Sequence, residues 1–145
     1  MHHIPQMLRT NPSQPLIEGD ALAACIEACF DCVQSCIACS DACLGEDDPK
    51  MLSRCIRLNQ DCADICGATG SALSRSHQPD VELLQRLVET CALACERCAE
   101  ECERHQDMHE HCRVCAAVCR RCTQACAEAV SRLRTATAPA RSPHH

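Results

Sequence analysis

The cysteines of this chain recur in alternating steps of three and four residues. Cys25, Cys29, Cys32, Cys36, Cys39 and Cys43 form one row, Cys91, Cys95, Cys98 and Cys102 a second, and Cys112, Cys115, Cys119, Cys122 and Cys126 a third. Such steps keep side chains on one face of an α-helix, whereas a strand needs steps of two. A sparser row holds Cys55, Cys62 and Cys66, with Asn59 standing where the rhythm leaves room for another thiol. The pattern predicts four helices and no sheet.

Local punctuation sets their limits at about 18–44, 49–75, 79–105 and 108–134. Gly45 ends the first helix. Asp48 is the expected cap of the second, with Pro49 in the first turn, where proline is tolerated. Pro79 opens the third. Asp107 followed by Glu110 resembles a capping box, which puts the last turn at His105 to Met108. Helices of this length joined by short loops imply an all-α, up-down-up-down antiparallel four-helix bundle over residues 16–135. Residues 1–15 and 136–145, rich in Pro, Ser and His, read as disordered tails. Because the thiol rows occupy positions where a bundle carries Leu and Ile, the expected core is a column of sulfur. Gly67 and Gly70 cost the second helix about 1 kcal/mol each relative to Ala, which a close helix approach would explain.

Composition narrows the function. Of 145 residues, 18 are Cys, one is Phe and none is Tyr or Trp, and the net charge is −6. An acidic chain without aromatic platforms fits neither nucleic acid nor an anionic membrane. No apolar run is expected to reach the roughly 18 residues of a membrane span. The first twenty residues lack the charged head and apolar stretch of a secretory signal, so the chain reads as cytoplasmic. In a reducing compartment this cysteine content points to metal or redox chemistry, not to a disulfide scaffold.

Buried cysteine can be a mere small hydrophobe, but fifteen in strict phase on three helices give up too much apolar volume for that. Neighbours in one helical row project in parallel, which is poor geometry for bridging. Thiol exchange needs one exposed, low-pKa cysteine with a resolving partner. No Ser-His-Asp set, phosphate loop or Glu-x-x-His motif is present, and the chain does not read as an enzyme. Thiolates select Cu(I), zinc or iron–sulfur clusters. Iron–sulfur ligands usually come from loops, and zinc uses separate Cys-x2-Cys knuckles. Continuous Cys-x3-Cys pairs, with β-carbons about 5–6 Å apart, instead suit a low-coordinate monovalent ion held between two sulfurs. Cu(I) also neutralises thiolate one for one, which matters because an uncompensated buried charge costs several kcal/mol. The reading is storage of many Cu(I) ions per chain. The alternatives are a zinc or mixed-metal thiolate buffer of metallothionein type, and a thiol redox protein.

The repeated rows, as in Cys25-x3-Cys29-x2-Cys32 and Cys115-x3-Cys119-x2-Cys122, resemble those of the bacterial copper storage proteins, in the cytosolic branch without an export signal. The resemblance spans residues 18–134. It implies a four-helix bundle that assembles as a homotetramer and fills its core with Cu(I)–thiolate clusters. It also implies a supporting ligand role for Asn59 and His109. A copper chaperone or a small thiol is the expected donor or acceptor.

Up-down topology places the first and third turns of the bundle at one end. That end gathers Met51, His105, Met108, His109 and His111, and His105 and His109 prolong the stripe of Cys102. Met51, Met108, His105 and His109 are therefore candidate ligands beside the cysteines. His111 is read as a solvated helix residue, and His77, at the opposite end, as inert. There the stripes continue as Leu22, Leu73, Leu84, Leu87, Val88, Val130 and Leu133. One end is expected to be a soft-ligand mouth and the other an apolar plug.

Overall fold

A computed structural model describes residues 3–137. Four long helices form the bundle: α2 (Gly19–Leu44), α3 (Ser53–Leu73), α4 (Val81–His105) and α5 (Glu110–Thr137). Each is preceded by a short connection, and α3 is entered through one 3-10 turn, Pro49–Leu52. The helices pack in ring order, α2 on α3, α3 on α4, α4 on α5 and α5 back on α2. All eighteen cysteines are free and buried in the space between them.

The starts of the helices show which local signals act. Asp80 caps α4, its side chain accepting a hydrogen bond from the Leu83 amide at 3.0 Å. Asp48 occupies the cap position before Pro49, but its side chain makes no capping bond. The turn before α5 falls at residues 106–108 as expected, yet the helix begins at Glu110 and not at a cap on Asp107. There the Met108 and His109 amides both donate to the His105 carbonyl, so the backbone closes the turn itself.

The N-terminal segment, expected to be a disordered tail, instead forms a helix, α1 (His3–Thr10). Ile4 and Leu8 fall one turn apart and are buried. They lie beside Ile26 and Phe30 of α2 and Ser74 at the end of α3. Pro5 sits in the first turn, where its missing amide costs nothing. Of the expected C-terminal tail, residues 138–145 lie outside the described residues, and α5 runs on through residues 136 and 137.

A second expectation also changes. By length and composition α2 is apolar enough to cross a membrane, with a mean hydropathy of 1.6 over its best window. Leu22, Ile26, Phe30, Val33 and Ile37 contribute to that value alongside the Cys and Ala residues. In the bundle the cysteine row of this helix faces inward, and half of the window is buried. The other long helices carry enough charge on their outer faces to keep the usual amphipathic profile.

The glycines of α3 are accounted for by packing. A β-carbon on Gly70 would stand 3.0–3.3 Å from the Phe30 ring, and one on Gly67 would stand 3.7 Å from Val33. Gly70 therefore lets the one aromatic residue of the chain lie across α3. Gly67 meets no such limit.

Candidate metal centre

The thiol rows of the four helices converge on a single column. At its plug end Cys25 lies 3.9 Å from Cys126, and Cys122 stands 3.9 Å from Cys126 along α5. In the middle, Cys66 approaches Cys95 at 3.4 Å and Cys91 at 3.5 Å, and Cys32 lies 3.6 Å from both Cys62 and Cys119. Cys36 then links to Cys98 at 3.8 Å and to Cys115 at 3.9 Å. Towards the mouth, Cys55 meets Cys102 at 3.6 Å and Cys39 meets Cys112 at 4.0 Å. These are neighbour distances on every side, set by helices that cannot move apart without opening the core.

The sulfurs group into sets of four within metal-bridging reach. They include Cys29, Cys91, Cys122 and Cys126; Cys32, Cys66, Cys95 and Cys122; Cys32, Cys36, Cys62 and Cys119; and Cys36, Cys98, Cys115 and Cys119. Cys122, Cys32, Cys36 and Cys119 each serve two of these sets, so the sets run into one another. Shared thiols are what bridging sulfur in a polynuclear cluster requires, and soft Cu(I) accepts it.

Asn59 breaks the column once. It is fully buried, and its Oδ1 accepts from Cys98 at 2.9 Å and from Cys115 at 3.4 Å. Its Nδ2 donates to Cys55 at 3.7 Å. The side chain thus joins the central thiols to those at the mouth, as its place in the cysteine rhythm predicts.

Protons on this network follow burial and hydrogen bonding. Burial pushes the Cys43 thiol up to about 11. The bond with Cys102 is the largest influence lowering Cys55 and Cys115, while Cys102 itself is raised, chiefly by Cys115.

The mouth differs from the sequence reading in detail. Met51 and Met108 are 72% and 82% exposed and are turned to solvent, away from the thiols. Their positions in a 3-10 turn and a loop break the phase that would have aimed them inward. His105 Nε2 meets Glu101 Oε2 at 3.0 Å, and His109 Nδ1 meets Glu46 Oε2 at 3.0 Å. His111, read as solvated, is the histidine that reaches sulfur among the described residues. Its Nδ1 lies 3.4 Å from Cys39 Sγ and 3.7 Å from Cys112 Sγ. Its Nε2 meets Glu46 Oε2 at 2.9 Å. The signal was present: His111 precedes Cys115 by four residues and so lies in its helical row. Glu46 was missed because it reaches both rings from the loop after α2, a contact between segments far apart in sequence. His111 is the largest influence holding the Glu46 carboxyl below the usual range.

The opposite end is closed by Leu22, Leu73, Leu84 and Leu133, with Leu16 and Ile17 of the N-terminal segment added to the expected set. The space left there is about 10 Å³, no more than the roughly 10–15 Å³ that one water needs.

A helical bundle whose interior is a chain of shared four-thiol sets defines a class, a multi-site binder of soft metal ions. Residues 18–131 match the family model of the copper storage proteins, and the chain belongs to that family. Among solved structures it is similar to Ccsp, the copper storage protein of Streptomyces lividans, loaded with 10 copper equivalents. The two are 46% identical with a TM-score of 0.87, over 89% of this chain and 98% of that one. The Cu(I)-bound copper storage protein BsCsp3 is 38% identical with a TM-score of 0.67, over 74% of this chain and 96% of that one. A cysteine-rich protein of Bacillus subtilis, YhjQ, whose function is uncharacterised, is 42% identical over 62% of this chain and 78% of its own length.

Proposed function

We propose that this chain stores many Cu(I) ions in the thiol column and that copper passes in and out at the His109–His111 end. The observation that carries this reading is the run of shared four-thiol sets from Cys126 to Cys115. Each sulfur in such a run can bridge two metals, so one copper per thiol leaves a nearly neutral core. All eighteen cysteines act as ligands, with Asn59 completing a cluster at the joint it already occupies. A metal crossing an apolar passage unliganded would be costly. The mouth offers imidazole and sulfur in sequence, and the residues that line the plug offer neither.

The reading carries no catalytic step: the column is buried, and its thiols pair with one another and not with a substrate site. Cytoplasmic residence follows the relative from Streptomyces lividans that is described as a cytosolic copper storage protein. Assembly as a homotetramer is supported by the exposed apolar side chains Ile37, Leu44, Leu93 and Val114 on the outer faces of α2, α4 and α5. A chaperone or a small thiol would hand copper to the mouth.

The test is anaerobic titration of the reduced protein with Cu(I) against a competing chelator. Storage requires close to one tight copper per thiol, with almost no thiol left for Ellman's reagent. A plateau at four or five metals per chain would favour separate zinc-type sites, and half the thiols still reactive at saturation would end the continuous-column reading.

A further inference from the structure

The four ligand atoms at the mouth differ in kind from the rest of the column. Cys39, Cys43, Cys112 and His111 form a three-thiol, one-imidazole set whose ligand atoms all lie within 4.8 Å of one another. The set shares no thiol with the four all-sulfur sets described above. Three cysteines and one histidine are a closed tetrahedral zinc ligand set.

The spacing agrees. Around a tetrahedral zinc ion, bonds of about 2.3 Å to sulfur and about 2.0–2.1 Å to nitrogen give sulfur–sulfur edges of ~3.8 Å and sulfur–nitrogen edges of ~3.5 Å. The Cys39–Cys112 edge is 4.0 Å, and the edges from His111 Nδ1 to Cys39 and Cys112 are 3.4 and 3.7 Å. The histidine is oriented for the task. With Nε2–H donating to Glu46, the Nδ1 lone pair faces the two sulfurs, the carboxylate–histidine–metal arrangement that holds zinc ligands in place.

We infer that Cys39, Cys43, Cys112 and His111 form a discrete site for one zinc-class divalent ion at the mouth of the column, with Glu46 as the positioning residue for His111. Binding Zn2+ displaces three thiol protons to solvent and leaves a site of net charge −1. Any all-thiol set deeper in the column would carry −2 with the same ion, in a drier place, which selects the mouth. The ion would close the column, and Cu(I) would have to displace it to load the thiols behind. This goes beyond the copper reading and does not depend on copper capacity.

Anaerobic titration of the reduced full chain with Co2+ as the optical probe, and with Zn2+ against a chelator, tests the site. Tetrahedral cobalt absorption with sulfur charge-transfer bands should saturate first at one equivalent per chain. His111→Ala should abolish that step or convert its bands to an all-thiolate pattern. Glu46→Ala should weaken the first Zn2+ by about 10–100-fold, while His77→Ala leaves it unchanged. The inference is overturned if the parent binds several divalent ions with no break at one equivalent, or if folded His111→Ala keeps the first step and its spectrum. If far-UV circular dichroism shows that His111→Ala is unfolded, Glu46→Ala decides, and an unchanged first affinity there rejects the assignment. Cu(I) titration of the parent protein reports separately on storage, so failure of either reading is visible without the other.

Discussion

The two ends of the bundle continue the same helical rows and are built in opposite ways. At the plug, the row positions pass from Cys to Leu22, Leu73, Leu84 and Leu133, and the helices close on one another with almost no space. At the mouth, the rows pass from Cys to His111, and a loop carboxylate, Glu46, ties two imidazoles together. On the proposed reading, one end gives the column of thiols its cohesion and the other its traffic. Cysteine buries less apolar area than leucine, so the leucines beyond the rows carry stability. The mouth gives up that packing for His109, His111 and Glu46, the groups proposed to pass the metal.

The largest effect expected from this contrast is alkaline opening of the empty protein. Burial raises the Cys43 thiol from 9.0 to about 11. A group whose folded pKa is raised contributes stability that is complete below its unfolded value and is lost as pH rises through the folded one. The metal-free chain should therefore lose helix by circular dichroism between about pH 9 and 11, while the copper-loaded chain, whose thiolates are already ionised and paired, should not. Equal alkaline stability of both forms would mean that the buried thiols do not limit the fold.

Next in size is the plug itself. Leu133 is buried in it, and Leu133→Ala should cost about 2–5 kcal/mol of stability in denaturant unfolding. Met51→Ala, at the exposed rim of the mouth, should stay within about 0.5 kcal/mol of the parent. Comparable losses at the two positions would remove the distinction between a cohesive end and an open one.

The rate of uptake sharpens the comparison from the other side. Replacing His109 and His111 together by Ala should slow Cu(I) uptake in stopped flow on the order of tenfold, the effect of about 1.4 kcal/mol on the barrier. Replacing the exposed Met51 and Met108 should leave the rate near the parent value. If Leu22→Ala or Leu73→Ala alters the rate and the histidine pair does not, copper enters by the end assigned as plug.

The smallest effect concerns α3, where its glycines meet α2. Gly67→Ala should raise stability by up to about 1 kcal/mol, because its new methyl meets Val33 at ordinary contact distance. Gly70→Ala should gain less, since the Phe30 ring would have to move. A larger gain at Gly70 than at Gly67 would show that the ring does not rest against the helix.

Much of this protein was written in one periodicity. Steps of three and four determined the helices, the face each buries, and the chemistry of the core, because a helix repeats every 3.6 residues and a buried row of soft ligands has few other uses. The same rule placed Asn59 inside the column, and applied one turn further it would have placed His111 there as well. Other features have no local code. Ile4 and Leu8 form a buried pair only because α2 and α3 present Ile26, Phe30 and Ser74 to them. Met51 and Met108 share the soft chemistry of the mouth but sit in a turn and a loop, where helical phase no longer dictates direction. Glu46 meets His109 and His111 across more than sixty positions of chain. The sequence by itself determined the thiol column and the leucines that close one end of it; the tertiary structure alone decided how the mouth is built and that Leu16 and Ile17 join the plug, because loop and terminal side chains are aimed by neighbours distant in sequence and not by the repeat of their own helix.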